Sequence, residues 1–292
     1  MKTEDQLWRG MAGHFRILAV TATQTAQTAR DLHDLSPVNA LLLGKMLSAA
    51  AMLSLDLKSA GAEVTLRLDG DGPLAGALVI CSSGGALRGY AFCPRLYLEE
   101  AAANLQPLSQ LGTGTLSVIR SHPRQRPVSG YTSLVPGELA HNLAHYFEQS
   151  EQLPAAVNLG VLIDPQARIR AAGGFIIQQL PGARPEDAES LIARLGETPH
   201  VSDLMDMGLS IPEILNRFVF PGQDYELQTV RPIRYQCNCS REKFARALSL
   251  LDINELKEMR DGIDPVCHFC NTTHHFSAAE IEAMILAREA QS

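Results

Sequence analysis

The chain has 292 residues, 46 % hydrophobic and 20 % charged, with a formal net charge of −7 at pH 7. Such a length holds one large domain and a smaller one, and this balance of apolar and charged residues excludes a disordered chain. The acidic excess argues against a nucleic-acid partner, which needs a basic face.

Met1-Lys2-Thr3-Glu4-Asp5-Gln6 carries acids where a signal peptide needs a basic start and an apolar run. The most apolar stretch, 38–55, is interrupted by Asn39, Gly44 and Lys45 and is marginal in length for a membrane span. It reads as a buried helix, so no membrane partner is expected. A four-cysteine cluster in a chain without an export signal points to a reducing compartment, the cytoplasm.

Residues 1–180 read as a large N-terminal domain of mixed α and β. Over 32–58, Leu35, Val38, Leu42, Met46, Ala49, Leu53 and Leu57 recur at helical spacing and predict a core helix. Residues 63–69 alternate strictly and predict a half-buried strand. Asp69-Gly70-Asp71-Gly72-Pro73 is a turn, and 74–81 with 86–92 flank Ser82-Ser83-Gly84-Gly85 as a hairpin. Strands are expected at 113–120, 155–163 and 171–180, and a helix at 136–149 with Leu139, Leu143, Tyr146 and Phe147 on one face. Strands clustered between separated helices predict an α+β fold.

Pro181-Gly182-Ala183-Arg184-Pro185 marks the clearest boundary, and 181–231 reads as a metastable helical linker. Its short helices at 186–195, 201–207 and 211–219 are broken at Gly196, Pro199, Gly208, Ser210 and Pro212. Helices of about ten residues do not hold alone in water. Apolar residues such as Leu191, Leu204, Ile211, Ile214 and Leu215 therefore need a neighbour to lean on.

Residues 232–292 read as a small metal-binding domain. Cys237-Asn238-Cys239 and Cys267-His268-Phe269-Cys270 offer four thiolates that one zinc ion would fill. The same sulfurs can instead close as two short disulfides, Cys237–Cys239 and Cys267–Cys270. Ser240 is placed to cap a helix bearing Phe244, Ala247, Leu248 and Leu251. Asp252 with Glu255, and Ser277 with Glu280, have capping-box spacing. The first opens a helix that stops at Gly262. The second opens a helix over 278–288, after a short strand at 272–276, with Phe276 and Ile281 placed as a hydrophobic staple.

Two readings of the cluster stay open on these residues. Four thiolates make a closed structural site, and zinc is worth on the order of 10–16 kcal/mol in small zinc peptides, so the metal is a staple. Alternatively it is a switch. A disulfide across one intervening residue is a tight ring that is easily reduced again, and the linker just upstream is conditional structure.

Other motifs carry less. Gly70-x-Gly72-x-x-x-Gly76 misses dinucleotide spacing, and His141 and His145 lack the glutamate of a zinc-protease helix. His268, His274 and His275 read as solvated or supporting residues, and Cys81 and Cys93 as inert thiols. No catalytic constellation stands out, so an enzyme is not expected.

With these residues the chain resembles the 33-kDa heat-shock protein family, the redox-regulated holdase chaperones also called 33 kDa chaperonins. The resemblance rests on Cys237-Asn238-Cys239-Ser240-Arg241-Glu242 and Val266-Cys267-His268-Phe269-Cys270-Asn271. Upstream it includes Asp71-Gly72-Pro73, Tyr146-Phe147-Glu148-Gln149-Ser150-Glu151-Gln152-Leu153-Pro154 and Ala171-Ala172-Gly173-Gly174-Phe175-Ile176-Ile177-Gln178. It implies a cytosolic chaperone that works without ATP and is inactive while Cys237, Cys239, Cys267 and Cys270 hold one zinc per chain. Oxidation to the Cys237–Cys239 and Cys267–Cys270 disulfides would release the zinc and unfold the metal domain and linker. The activated protein, a homodimer, would then bind unfolding client proteins.

Overall fold

No strand is expected from the sequence before residue 63, yet the chain opens with an antiparallel pair, β1 (Gln6–Ala12) and β2 (Phe15–Thr21). This is a computed structural model of the full chain, and it describes residues 4–97 and 107–289. In β2, Leu18 and Val20 face one core while Ile17 and Ala19 face another, so the strand is covered on both sides.

A separate helix that the sequence does not lead one to expect, α1 (Thr23–His33), comes first, and the helix expected over 32–58 is shorter, α2 (Pro37–Leu53). Asp34 takes a left-handed conformation (φ 48°), which Asp tolerates better than most residues, and its N–H bonds the Arg30 carbonyl. Pro37 then occupies the first turn of α2, where a missing N–H costs nothing. The segment Pro37–Asp56 is apolar and long enough to cross a membrane, but 89 % of its most apolar window is buried inside the fold. A helix apolar on all sides belongs in a core, and α2 packs against strands of both large sheets. At its start the buried Asn39 amide donates to Ser36 Oγ at 3.0 Å and to the Cys93 carbonyl at 2.9 Å, and farther along the Ser48 hydroxyl donates to the Gly44 carbonyl at 3.0 Å.

Next come β3 (Glu63–Gly70), β4 (Gly76–Ser82), β5 (Ala86–Ala91), β6 (Gly114–Ser121) and β7 (Val128–Ser133). The expected hairpin forms, with Cys81 opposite Leu87, so Cys81 and Cys93 are not cross-strand partners. Cys81 is buried and Cys93 half-buried. Helix α3 (Leu139–Glu151) is fixed by Tyr146, whose hydroxyl donates to Glu151 Oε1 at 3.0 Å beside Arg120. Burial, with the Glu151 charge, pushes that phenol up to about 12.

Strands β8 (Ala155–Ile163) and β9 (Ile169–Gln179) extend the first sheet, β9 beside β2 and β8 at its edge. Helices α4 (Pro185–Glu197), α5 (Val201–Asp206) and α6 (Ile211–Ile214) follow, the last running into a π-turn over Leu215–Val219. They bury Leu191, Val201, Leu204, Ile211 and Ile214 with Ile17, Ala19, Phe175 and Ile177 of the sheet. The docking is close. A Cβ added at Gly160 would stand 2.7 Å from the Ser202 nitrogen, and one at Gly173 would stand 3.1 Å from the Met205 sulfur. Two glycines thus let α5 rest on sheet backbone.

After these helices, β10 (Glu226–Pro232) and β11 (Arg234–Tyr235) return to the sheets. The five-stranded sheet has the order β10-β1-β2-β9-β8 and the six-stranded sheet β11-β5-β4-β3-β6-β7. The chain divides into two compact units, Met1–Gln236 and Cys237–Ser292. The second holds α7 (Arg241–Leu248), α8 (Ile253–Glu258), the short pair β12 (Gly262–Ile263) and β13 (Phe276–Ser277), and α9 (Ala278–Glu289).

Candidate metal centre

The second unit is small, and its buried core among the described residues is Leu248, Leu256, Phe276, Ile281 and Ile285. Both members of the expected staple, Phe276 and Ile281, are in it. Local capping shapes the rest. Ser240 accepts the Lys243 N–H at 3.3 Å to start α7 directly after Cys239. Asp252 and Glu255 close a full capping box on α8. Glu280 accepts the Ser277 N–H at 3.0 Å at the start of α9. A core this small supplies little stability alone.

Two segments present sulfur, one just before α7 and one between α8 and α9. Cys237 and Cys239 lie on an extended segment, with the Cys239 N–H aimed at Cys237 Sγ at 3.4 Å. Cys267 and Cys270 lie on a turn closed by the Cys270 and Asn271 N–H groups donating to the Cys267 carbonyl at 3.3 and 2.8 Å. The turn ends on Asn271 in the left-handed region (φ 55°), and the Cys267 N–H donates back to the Thr272 carbonyl at 2.9 Å.

These segments bring together all four expected residues. Cys237 Sγ lies 3.7 Å from Cys267 Sγ, Cys239 Sγ lies 3.5 Å from Cys270 Sγ, and all four sulfurs fall within 4.8 Å of one another. Four sulfurs about 2.3 Å from a tetrahedral zinc stand roughly 3.8 Å apart. The quartet therefore fits a thiophilic cation by donor type and by spacing. Cys267 is 5 % exposed and the other three are half-buried, so the site is sheltered yet reachable.

The sulfurs differ electrically. Burial raises Cys237, and burial with hydrogen bonds to the other three thiols raises Cys239. Burial also opposes ionisation of Cys270, but bonds to the Thr272 hydroxyl and backbone and to its neighbouring thiols outweigh it and bring it to about 7. Thiolate therefore gathers at Cys270 first, and a bound cation would draw all four into that form.

The nearby histidines are engaged elsewhere: His275 Nδ1 lies 2.6 Å from Asp264 Oδ1, and the His274 ring stacks 4.6 Å from Phe244. Arg241 was not singled out from the sequence. Its guanidinium donates to the His275 carbonyl at 3.1 Å and pairs with Glu280, whose carboxyl those bonds hold down at about 2. Nothing in its spacing announces that contact, because the partners lie 34 and 39 residues away.

The model of the Hsp33 protein family matches residues 5–277. A 33 kDa chaperonin of Symbiobacterium thermophilum is 38 % identical over 276 residues, covering 93 % of this chain and 93 % of the relative. One from Carboxydothermus hydrogenoformans is 39 % identical over 282 residues, covering 95 % and 97 %. The crystal structure of a 33 kDa chaperonin from Thermotoga maritima superposes with a TM-score of 0.88 at 29 % identity, covering 98 % of this chain and 99 % of that one.

Proposed function

The chain belongs to the Hsp33 protein family, and from that footing we propose that it is a redox-regulated, ATP-independent holdase chaperone. One observation carries the reading: four cysteine sulfurs within 4.8 Å of one another tie together a unit with a minimal core. In the reduced state Cys237, Cys239, Cys267 and Cys270 hold one zinc ion per chain. Bound zinc supplies compensation for four thiolates and a fixed tetrahedral geometry.

The thiolate is the species that oxidants attack, and a bound zinc ion would keep all four cysteines in that form. Each disulfide forms as two cysteines give up two electrons to one molecule of peroxide, which leaves as water. In the folded unit Cys237 Sγ lies 3.7 Å from Cys267 Sγ and Cys239 Sγ 3.5 Å from Cys270 Sγ. The products are taken to be Cys237–Cys239 and Cys267–Cys270, the pairing that the family resemblance implies, which requires the sulfur-bearing segments to rearrange.

Oxidised sulfur no longer holds the cation, and the unit unfolds for want of a core. The linker helices α4–α6 come away with it and uncover Ile17, Ala19, Phe175 and Ile177, an apolar sheet face suited to unfolding client proteins. The active form is a homodimer in the cytoplasm. It catalyses no reaction and has no nucleic-acid or membrane partner.

The test is to treat the protein with peroxide at raised temperature, count zinc and free thiols, and follow aggregation of an unfolding client by light scattering. One zinc and four thiols per chain should be lost as aggregation is suppressed. Oxidised protein that keeps its zinc, or loses it and still lets the client aggregate, overturns the reading.

A further inference from the structure

Residues 226–236 cover one edge of each large sheet in a single run. β10 is the outermost strand of the five-stranded sheet and β11 the outermost strand of the six-stranded one. The run begins shortly after the last linker helix and ends at Gln236, the neighbour of Cys237.

β10 pairs with β1 through its backbone. Its side-chain anchors are Leu227, against the core shared with the linker helices, and the Arg231 guanidinium, which donates to the Ser54 carbonyl at 3.2 Å and to Ser54 Oγ at 2.8 Å. Five of its seven residues are exposed, and its antiparallel register with β1 shifts between Leu7 and Trp8. A Cβ at Gly10 of β1 would collide with the Glu226 carbonyl oxygen. Glycine thus opens the β1 edge to close approach by another backbone, with little demand on side chains. Beside this pairing lies a cavity of about 450 Å³ lined by Arg9, Met11, Arg16, Glu226, Gln228 and Val230.

β11 covers its edge over two residues only, anchored by Ile233, which is buried in the main core, and by Tyr235 packed against it. It runs parallel to β5 with only Arg234 opposite Ala86 and Tyr235 opposite Leu87. The Arg234 N–H donates to the Gly85 carbonyl at 3.1 Å and the Gln236 N–H to the Leu87 carbonyl at 2.6 Å. Further along β5 a side chain does the work of a strand. The Tyr235 hydroxyl donates to the Gly89 carbonyl at 2.7 Å and accepts the Gly89 N–H at 3.2 Å.

Without this run, Gln6–Met11 of β1, and Gly85 with residues 86–89 of β5, would present unpaired N–H and carbonyl groups. Such edges are templates to which extended chains add as new strands. We infer that residues 226–236 are a built-in stand-in for a client: a strand ribbon that lifts on activation and is replaced, principally on β1, by an extended segment of an unfolding protein. The inference rests on the holdase reading, which frees the chain on both sides of the ribbon. An unfolded polypeptide is the occupant that this edge fits, because every such chain supplies the backbone groups that β10 supplies, whatever its sequence. Pairing through backbone also explains how one surface holds unrelated clients.

Hydrogen exchange read by mass spectrometry on the full chain tests this in three states: reduced, oxidised, and oxidised with a thermally unfolded client bound. Peptides spanning 4–13 and 226–236 should be protected in the reduced protein and lose protection on oxidation. In the client complex, 4–13 should regain protection while 226–236 stays open. An oxidised protein that holds client with 226–236 still protected, or with 4–13 still open, overturns this inference and leaves the holdase reading standing. An oxidised protein that holds no client overturns both.

Discussion

Arg241 lies over the ring of Phe276, its guanidinium carbon 4.5 Å from the ring centroid. Arg241 stands two residues beyond Cys239, at the start of α7, while Phe276 belongs to β13 and is fully buried. The contact therefore joins the segment carrying the first cysteine pair to the one that follows the second. A cation over an aromatic face is worth about 0.5–1 kcal/mol at an exposed site. Replacing Arg241 by Gln keeps a polar side chain and removes the charge. Arg241→Gln should weaken zinc retention by about two- to fivefold, measured by competition with a chromophoric chelator, and the unit should open at lower oxidant concentration.

The linker helices offer a second lever. Gly160 of β8 has α5 directly against it, so a methyl group there must push Ser202 and Val201 away. Overpacking of this kind costs about 1–3 kcal/mol, and the docking of short helices absorbs it more readily than the sheet does. Gly160→Ala should loosen α5 while the sulfur quartet keeps its metal. The expected result is partial client holding by reduced, zinc-loaded protein in a light-scattering assay. Wild-type silence from a variant whose 201–206 amides exchange faster would refute it.

What could be read in advance follows the range of the interactions concerned. The quartet was legible because its chemistry is local in sequence: two pairs, each within four residues, and caps such as Asp252 with Glu255 three apart. The strand at 63–69 was legible because β3 alternates buried and part-exposed residues over one core. β1, β2 and β10 were not. Trp8-Arg9-Gly10 in β1 has mixed polarity, and its partner Thr229-Gln228-Leu227 lies more than two hundred residues away. Coverage on both faces also erased the alternation in β2, where Ile17 and Leu18 are both buried. The break at Asp34 was missed because apolar spacing continues across it, whereas backbone conformation there does not.

Asp5 gives a pH-dependent prediction for the first unit. Its carboxylate is 3 % exposed and accepts the Thr25 N–H and hydroxyl, both at 2.7 Å, and the Gln24 N–H at 3.2 Å, at the first turn of α1. Burial raises its pKa above 3.8, and the hydrogen bonds from Thr25 and Gln24 offset only part of that rise. A raised carboxyl binds its proton more tightly in the folded state. Its favourable contribution is thus complete below the ordinary value and is lost as pH climbs through the raised one. Asp5→Asn keeps a side-chain acceptor for α1 and removes the titration. Relative to this variant, the wild type should lose stability as pH rises from the ordinary value of 3.8 through the raised one, read as the gap between urea midpoints; a gap constant with pH would contradict the assignment.

Cys81 separates the structural thiols from the reactive ones. It is fully buried in β4, and burial pushes its thiol up to about 11. At pH 8 it is therefore protonated and shielded, and neither an alkylating reagent nor peroxide meets a thiolate there. In native protein oxidised until its zinc is gone, Cys81 should remain unmodified by iodoacetamide and react only after denaturation. Peptide mapping should recover Cys81 alkylated in the denatured sample alone, with Cys237, Cys239, Cys267 and Cys270 in disulfides. Alkylation of Cys81 in the native oxidised state would mean that opening reaches into the six-stranded sheet, because β4 has strands on both sides.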